Sequence, residues 1–173
     1  MRSLVWLLVV VGACGPLAPL ATAAPPSVLD NLVRSDRATL EALYSNGSVT
    51  TPPPGFAPGK AIPDPGTRKA VRKSRTIGIL WKGKVFSDGQ MINRLAGGRE
   101  AVTASVYVGE SWLDGKPSLI LDYAGHKRFG DVRDEMREVS PGVYVGLTYV
   151  RKCPEPKLAM FFALDAGQEC CGR

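Results

Sequence analysis

Carboxylates are the most numerous candidates for chemistry in this chain. Asp122, Asp131, Asp134, Glu135, Glu138 and Asp165 all fall in its second half, and two acids converging at ~5–10 Å can share acid and base roles in hydrolysis. The densest cluster, Arg133-Asp134-Glu135-Met136-Arg137-Glu138, alternates in charge at strand spacing. Successive strand side chains point to opposite faces, so Arg133, Glu135 and Arg137 share one face and Asp134, Met136 and Glu138 the other. A face of alternating sign suits cross-strand ion pairs; turned into a barrel, it lines a polar pocket. Asp122-Tyr123, closing an apolar run, offers further inward polarity, and Trp81, Trp112, Tyr107 and Tyr149 can supply an apolar wall. The candidate ligand-binding residues are therefore Trp81, Trp112, Asp122, Tyr123, Arg133, Glu135, Arg137 and Tyr149.

Other chemistries are poorly served. His126 is the single histidine, which excludes a His-rich metal cage and an H-E-x-x-H helix. It sits in Ala124-Gly125-His126-Lys127-Arg128 with no clear orienting group beside it. Gly109-Glu110-Ser111-Trp112-Leu113 lacks the second glycine of a nucleophile elbow. Gly78–Lys84 has the G-x-x-x-x-G-K spacing, but Val85 follows where a phosphate loop needs Ser or Thr; no G-x-G-x-x-G turn follows a strand, and the cysteines lack C-x2-C spacing. No catalytic set, metal site or cofactor is expected.

These residues need elements to position them. The chain has 173 residues, 45% of them hydrophobic and 22% charged, which suits one folded domain with extensions. From residue 76 the texture is β. Thr76–Trp81, Val102–Val108, Ser118–Tyr123, Val132–Val139 and Val143–Arg151 read as strands, and Lys157–Leu164 is apolar on both faces. Asp88-Gly89, Gly97-Gly98, Asp114-Gly115 and Pro141-Gly142 mark tight turns. About seven strands joined by short turns imply an antiparallel meander, which must curl into a barrel or be covered by a second layer. The expected fold is mainly β: a barrel or strongly curled, calycin-like sheet over 76–166, with short N-terminal helices in 24–49. Ser27 caps the first helix and Ser35 or Asp36 the second, which stops at Asn46-Gly47. Residues 50–66 hold six prolines and three glycines. They read as a strap outside the sheet, because proline removes backbone donors.

The strap leads into a basic stretch that completes a 50–75 segment. Between Lys60 and Lys84 stand eight Lys or Arg against Asp64 alone. Arg68, Lys69, Arg72 and Lys73 recur at the spacing of one helix face. They are either a solvated face or a contact for an anionic surface such as lipid headgroups. Nucleic acid is not an expected partner, since no aromatic is interleaved from Arg68 to Arg75.

The first 23 residues read as an export leader. Leu4–Ala13 is a ten-residue apolar run, about half the length of a membrane span. Ala21-Thr22-Ala23 fits a signal-peptidase site; alternatively Val11-Gly12-Ala13-Cys14 is a lipobox and Cys14 carries a lipid anchor. A bacterial periplasmic or extracellular location is expected, with a membrane anchor if Cys14 is acylated. Cys153, Cys170 and Cys171 then remain, the last two in a 167–173 tail. A strand from Leu158 to Leu164 carries the chain ~20 Å away from Cys153 at ~3.3 Å per residue. A bridge therefore requires a tail that doubles back to within ~7 Å.

Leu80-Trp81-Lys82-Gly83-Lys84-Val85-Phe86, Met91-Ile92-Asn93-Arg94, Leu113-Asp114-Gly115-Lys116-Pro117, Leu121-Asp122-Tyr123 and Arg133–Gly146 together resemble a family of small uncharacterised bacterial proteins, over roughly Ile77 to Asp165. The W-K-G-K-x-F opening is also similar to that of calycin-like barrels of the lipocalin and fatty-acid-binding type, although the glycine here stands at Gly78-x-x-Trp81. The first resemblance carries over no catalytic residues, since that family has none established; the second implies a barrel holding an apolar ligand. The leading expectation is thus an exported binder of a small apolar or lipid-like molecule. Its rivals are an envelope enzyme acting on a lipid or ester through Asp122 and Glu135, and a structural module docked on anionic lipid.

Overall fold

Paired glycine-containing turns bend this chain back on itself so often that neighbouring strands have little choice but to pair. At Asp88-Gly89 both residues take positive φ, 48° and 73°, the geometry of a two-residue hairpin matched to strand twist. Gly142, with φ 73°, does the same after Pro141. The computed structural model describes residues 26–167. The leader with Cys14, and Cys170 and Cys171 in the tail, lie outside the described residues; Cys153 is exposed.

Eight strands follow one another: β1 (Gly55–Ile62), β2 (Trp81–Ser87), β3 (Gln90–Leu95), β4 (Glu100–Glu110), β5 (Pro117–Asp122), β6 (Val132–Ser140), β7 (Val143–Val150) and β8 (Lys157–Asp165). Each pairs antiparallel with the next, and β8 returns to β1 to close the barrel. Closure removes both sheet edges. The protein is therefore a mainly β chain built on a closed eight-stranded meander barrel, with three short α-helices among the described residues: α1 (Val28–Arg34), α2 (Arg37–Asn46) and α3 (Ala70–Leu80). Ser27 and Asp36 cap α1 and α2 by accepting hydrogen bonds from the Asp30 and Thr39 amides.

Two segments differ from the sequence expectation. Part of the Pro-rich strap is the eighth strand. Gly55–Pro58 pairs with β2 and Gly59–Ile62 with β8, so Pro58, the one proline between Phe56 and Ile62, falls where the β2 ladder ends and its missing donor costs little. Thr76–Leu80, expected as strand, completes α3 instead. Its Ile77/Ile79 alternation is overridden by a helical face in which Ala70 and Ser74 are buried. That helix has no side-chain N-cap, so packing rather than local capping holds it.

Hydrophobic residues form two layers. Phe86, Met91, Leu119, Leu121, Met136, Tyr144, Phe162 and Leu164 pack inside the barrel. Outside, Leu29, Leu32, Val33, Leu40 and Tyr44 of α1 and α2 cover Val143, Val145, Leu147, Phe161 and Ala163. β7 and the second half of β8 are consequently buried on both faces, which is why the latter reads as a continuous apolar run. Gly146 is required by the inner layer: a Cβ there would stand 2.1 Å from the Phe162 ring.

Candidate functional site

Interior side chains fill one end of the barrel and leave the other open. At the end where β1, β3, β5 and β7 finish, a cavity of about 310 Å³ remains. Its walls are Ala61, Ile77, Trp81, Leu95, Val102, Phe129, Val132, Met160 and Phe162, and its polar lining is Lys84, Asn93, Tyr123, Asp134 and Thr148. Alternation places these groups: Lys84 precedes Phe86 on the inner face of β2, and Asp134 precedes Met136 on that of β6. The Trp81 ring packs over Gly59, where a Cβ would meet it at 2.7 Å.

Lys84 is the centre of the polar lining. Its ammonium donates to Asp134 Oδ2 and to the Tyr123 hydroxyl at 2.8 Å each, and to Asn93 Oδ1 at 3.2 Å. Three protons thus meet three acceptors. Tyr123 donates to Asp134 Oδ2 at 3.0 Å, Trp81 Nε1 to Asn93 Oδ1 at 2.9 Å, and Asn93 Nδ2 to the Val102 carbonyl at 3.1 Å. Burial pulls the Lys84 ammonium toward neutrality, but Asp134 and Tyr123 more than offset it and push its pKa up to about 12. Burial, then the Asp134 charge, hold the Tyr123 phenol up at about 12. Near neutral pH Lys84 is thus an ammonium paired with Asp134 and bonded to a neutral Tyr123. One acceptor is left over: Asp134 Oδ1 is buried without a hydrogen-bond partner among the described residues. The lining offers no uncommitted cation, so Lys84 is neither a free amine nucleophile nor a counter-ion for an incoming anion.

Of the residues singled out from sequence, the structure brings Trp81 and Tyr123 to this cavity. The other six lie outside the lumen. Arg133, Glu135 and Arg137 occupy the outer face of β6, opposite Tyr149, Leu147 and Val145 of β7. α2 and the β4–β5 turn cover that face. Glu135 is fully buried and accepts from Ser111 Oγ at 2.6 Å, the Trp112 amide at 2.9 Å and the Tyr44 hydroxyl at 3.1 Å, with Arg133 Nη1 at 2.8 Å. Arg137 grips Asp114 through two bonds of 2.7 and 2.8 Å and donates to the Tyr44 and Pro117 carbonyls. The Arg133 guanidinium stacks on Trp112 at 4.1 Å, and Trp112 meets Tyr149 edge-on at 5.4 Å. Burial pushes the Tyr149 phenol up to about 12. Asp122, also outward, accepts from Arg151, the Ala124 amide and Tyr107. Burial raises its pKa, but these bonds outweigh burial and leave it below the ordinary carboxylate range. Asp122 and Glu135 are therefore held by donors and turned away from the cavity.

Sequence reading passed over Lys84 and Asn93 and left Asp134 on the face not chosen. The available signal was phase: Lys84 keeps step with Phe86, and Asp134 with Met136, so each charge shares a face with a core residue. Of the basic four, only Arg72 and Lys73 lie within α3; Arg68 and Lys69 precede it, and all four are exposed. Among the described residues no group of three His, Cys, Asp or Glu is placed to hold a metal, and no helix is long and apolar enough to cross a membrane.

No protein-family model matches this chain, and no curated protein does. Among solved structures, a crystal structure of a protein from Thermomonospora curvata is similar, with 22% sequence identity, 76% of this chain and 88% of that chain covered, and a TM-score of 0.47.

Proposed function

We propose that the barrel binds a small, apolar, uncharged molecule in the cavity between Trp81, Val102, Val132 and Met160. The observation that carries this is the lining: an apolar wall around one charge pair whose members neutralise each other. An isolated ammonium would favour a fatty carboxylate; Lys84, already bonded to Asp134, gives an anion nothing to offset its desolvation. A cavity of about 310 Å³ is at the small end of the ligand-pocket range. The apolar run Leu4–Ala13 and the Ala21-Thr22-Ala23 site support a role after export, in the periplasm or outside the cell.

The test is native mass spectrometry of the chain from Ala24 onward, purified from cells and then extracted with solvent. A stoichiometric neutral ligand is expected. In parallel, a neutral naphthylamine probe should bind and a polyene fatty acid should not. If neither the purified chain nor the solvent-stripped one takes up the neutral probe, the reading fails.

A further inference from the structure

Charge is distributed unevenly along the barrel axis, and the excess collects around the cavity. In an up-and-down barrel four connections, residues 63–80, 96–99, 123–131 and 151–156, lie at the cavity end. Three others, 88–89, 111–116 and 141–142, lie opposite. The cavity-end connections carry ten Lys or Arg against Asp64, Asp131 and Glu155, a net charge of +7. The opposite connections carry Lys116 against Asp88 and Asp114, a net charge of −1. Lys73 pairs with Asp64 and Arg151 with Asp122, yet Arg68, Lys69, Arg72, Arg75, Lys127 and Arg128 all remain exposed.

Apolar side chains project from the same rim. Ile79 is 73% exposed, Leu80 59% and Phe129 42%. Ile79 and Leu80 end α3 immediately before Trp81 enters the cavity wall, and Phe129 stands beside Arg128. A soluble polyanion complements the basic groups but leaves these three in water. An anionic bilayer complements both: basic groups sit at the headgroups and apolar tips enter the acyl boundary.

We propose that the cavity end of the barrel docks on an anionic lipid bilayer, with Ile79, Leu80 and Phe129 entering the headgroup boundary and the cavity facing the membrane. This goes beyond the ligand-binding reading and rests on different residues, since Arg72, Arg75, Ile79 and Leu80 do not line the cavity.

Co-sedimentation of the chain from Ala24 onward, which holds every described element, tests it. Vesicles of phosphatidylcholine mixed with phosphatidylglycerol should bind the protein at low salt and release it at high salt; phosphatidylcholine alone should not bind it. Arg72→Gln with Arg75→Gln should weaken binding roughly tenfold or more, and Ile79→Ser with Leu80→Ser should also weaken it. All four positions are exposed, so these variants should fold. Orientation can be read by tryptophan emission, because the chain from Ala24 onward holds two tryptophans, Trp81 in the cavity wall and Trp112 on the outer face beside Arg133 and Arg151. Brominated lipid should quench the Trp112→Phe variant, which reports Trp81, and spare a Trp81→Phe, Trp112→Phe, Ser140→Trp variant, which reports the exposed opposite end beside Pro141-Gly142. Equal binding to neutral vesicles, quenching of the Ser140→Trp reporter without quenching of Trp81, or capture by heparin without vesicle binding would each overturn the proposal. Failure of the neutral-probe assay leaves it standing.

Discussion

β6 presents two buried charge systems, one on each face, and they are built for different ends. Outside, Glu135 accepts hydrogen bonds from Ser111, Trp112 and Tyr44 and forms an ion pair with Arg133, while Arg137 ties the β4–β5 turn and the end of α2 to the barrel. Among the described residues, Arg133, Glu135 and Arg137 do not line the cavity, and the partners of that network come from three separate elements. Inside, Lys84 and Asp134 form a compact pair beside an open cavity, with one carboxylate oxygen unpartnered. Burial of charge alone therefore does not identify a site in this protein. The distinguishing feature is adjacent space.

The comparison can be broken by removing a charge on each face. Glu135→Ala should have the largest effect, a loss of about 3–5 kcal/mol in urea unfolding, because it leaves the Arg133 charge unpaired and the Ser111 hydroxyl without its acceptor in a dry interior. An effect below ~1 kcal/mol would mean that this network does not clamp α2. Asp134→Asn should cost less, roughly 2–3 kcal/mol, because water entering the cavity can solvate the orphaned Lys84. Replacing both partners, Lys84→Met with Asp134→Leu, should recover most of that loss, since a buried pair exchanged for apolar groups is often neutral. The outer network should show no such recovery for Arg133→Met with Glu135→Leu, which leaves the Ser111 hydroxyl and the Trp112 amide without their acceptor.

Alkaline titration sharpens the same contrast. Lys84 and Tyr123 are both raised in the folded protein, to about 12. Protonated Lys84 and neutral Tyr123 thus stabilise the fold fully below their ordinary values of 10.5 and 10.0, and that contribution is lost as pH rises toward 12. Urea midpoints should fall across this window in the parent chain and fall less in the Lys84→Met, Asp134→Leu variant. The smallest change in stability should come from filling the cavity. Val132→Trp is expected to weaken neutral-probe binding about tenfold or more while shifting the unfolding free energy by less than ~1 kcal/mol, because the added ring occupies existing space. A large loss of stability there would show that the cavity collapses in solution.

Much of the frame is legible in the sequence because it is set by local chemistry. Asp88-Gly89 and Pro141-Gly142 mark turns that only positive φ can close, and Ser27 and Asp36 cap the helices expected of them. The alternation in Val132–Val139 sorts Asp134 from Glu135 and Arg137 correctly. The site was less legible, since alternation divides a strand into two faces without saying which is inside. For most strands polarity answers that question. For β6 it cannot, because helices cover the outer face and both faces carry charges in the interior. The Trp81 and Tyr123 positions followed from their apolar company, while Lys84 was concealed within a basic run whose other members are mostly at the surface.

What the sequence by itself determined is a set of turns, caps and two-faced strands, each specified within a few residues by backbone sterics and hydrogen-bonding demand. Only the tertiary structure decided that Gly55–Ile62 closes the barrel, that Thr76–Leu80 is helical, and that Asp134 rather than Glu135 borders the cavity. Those outcomes depend on contacts between distant segments: β8 needs a partner for its free edge, α3 needs a sheet to bury Ala70 and Ser74, and Lys84 needs the carboxylate that barrel closure brings to it.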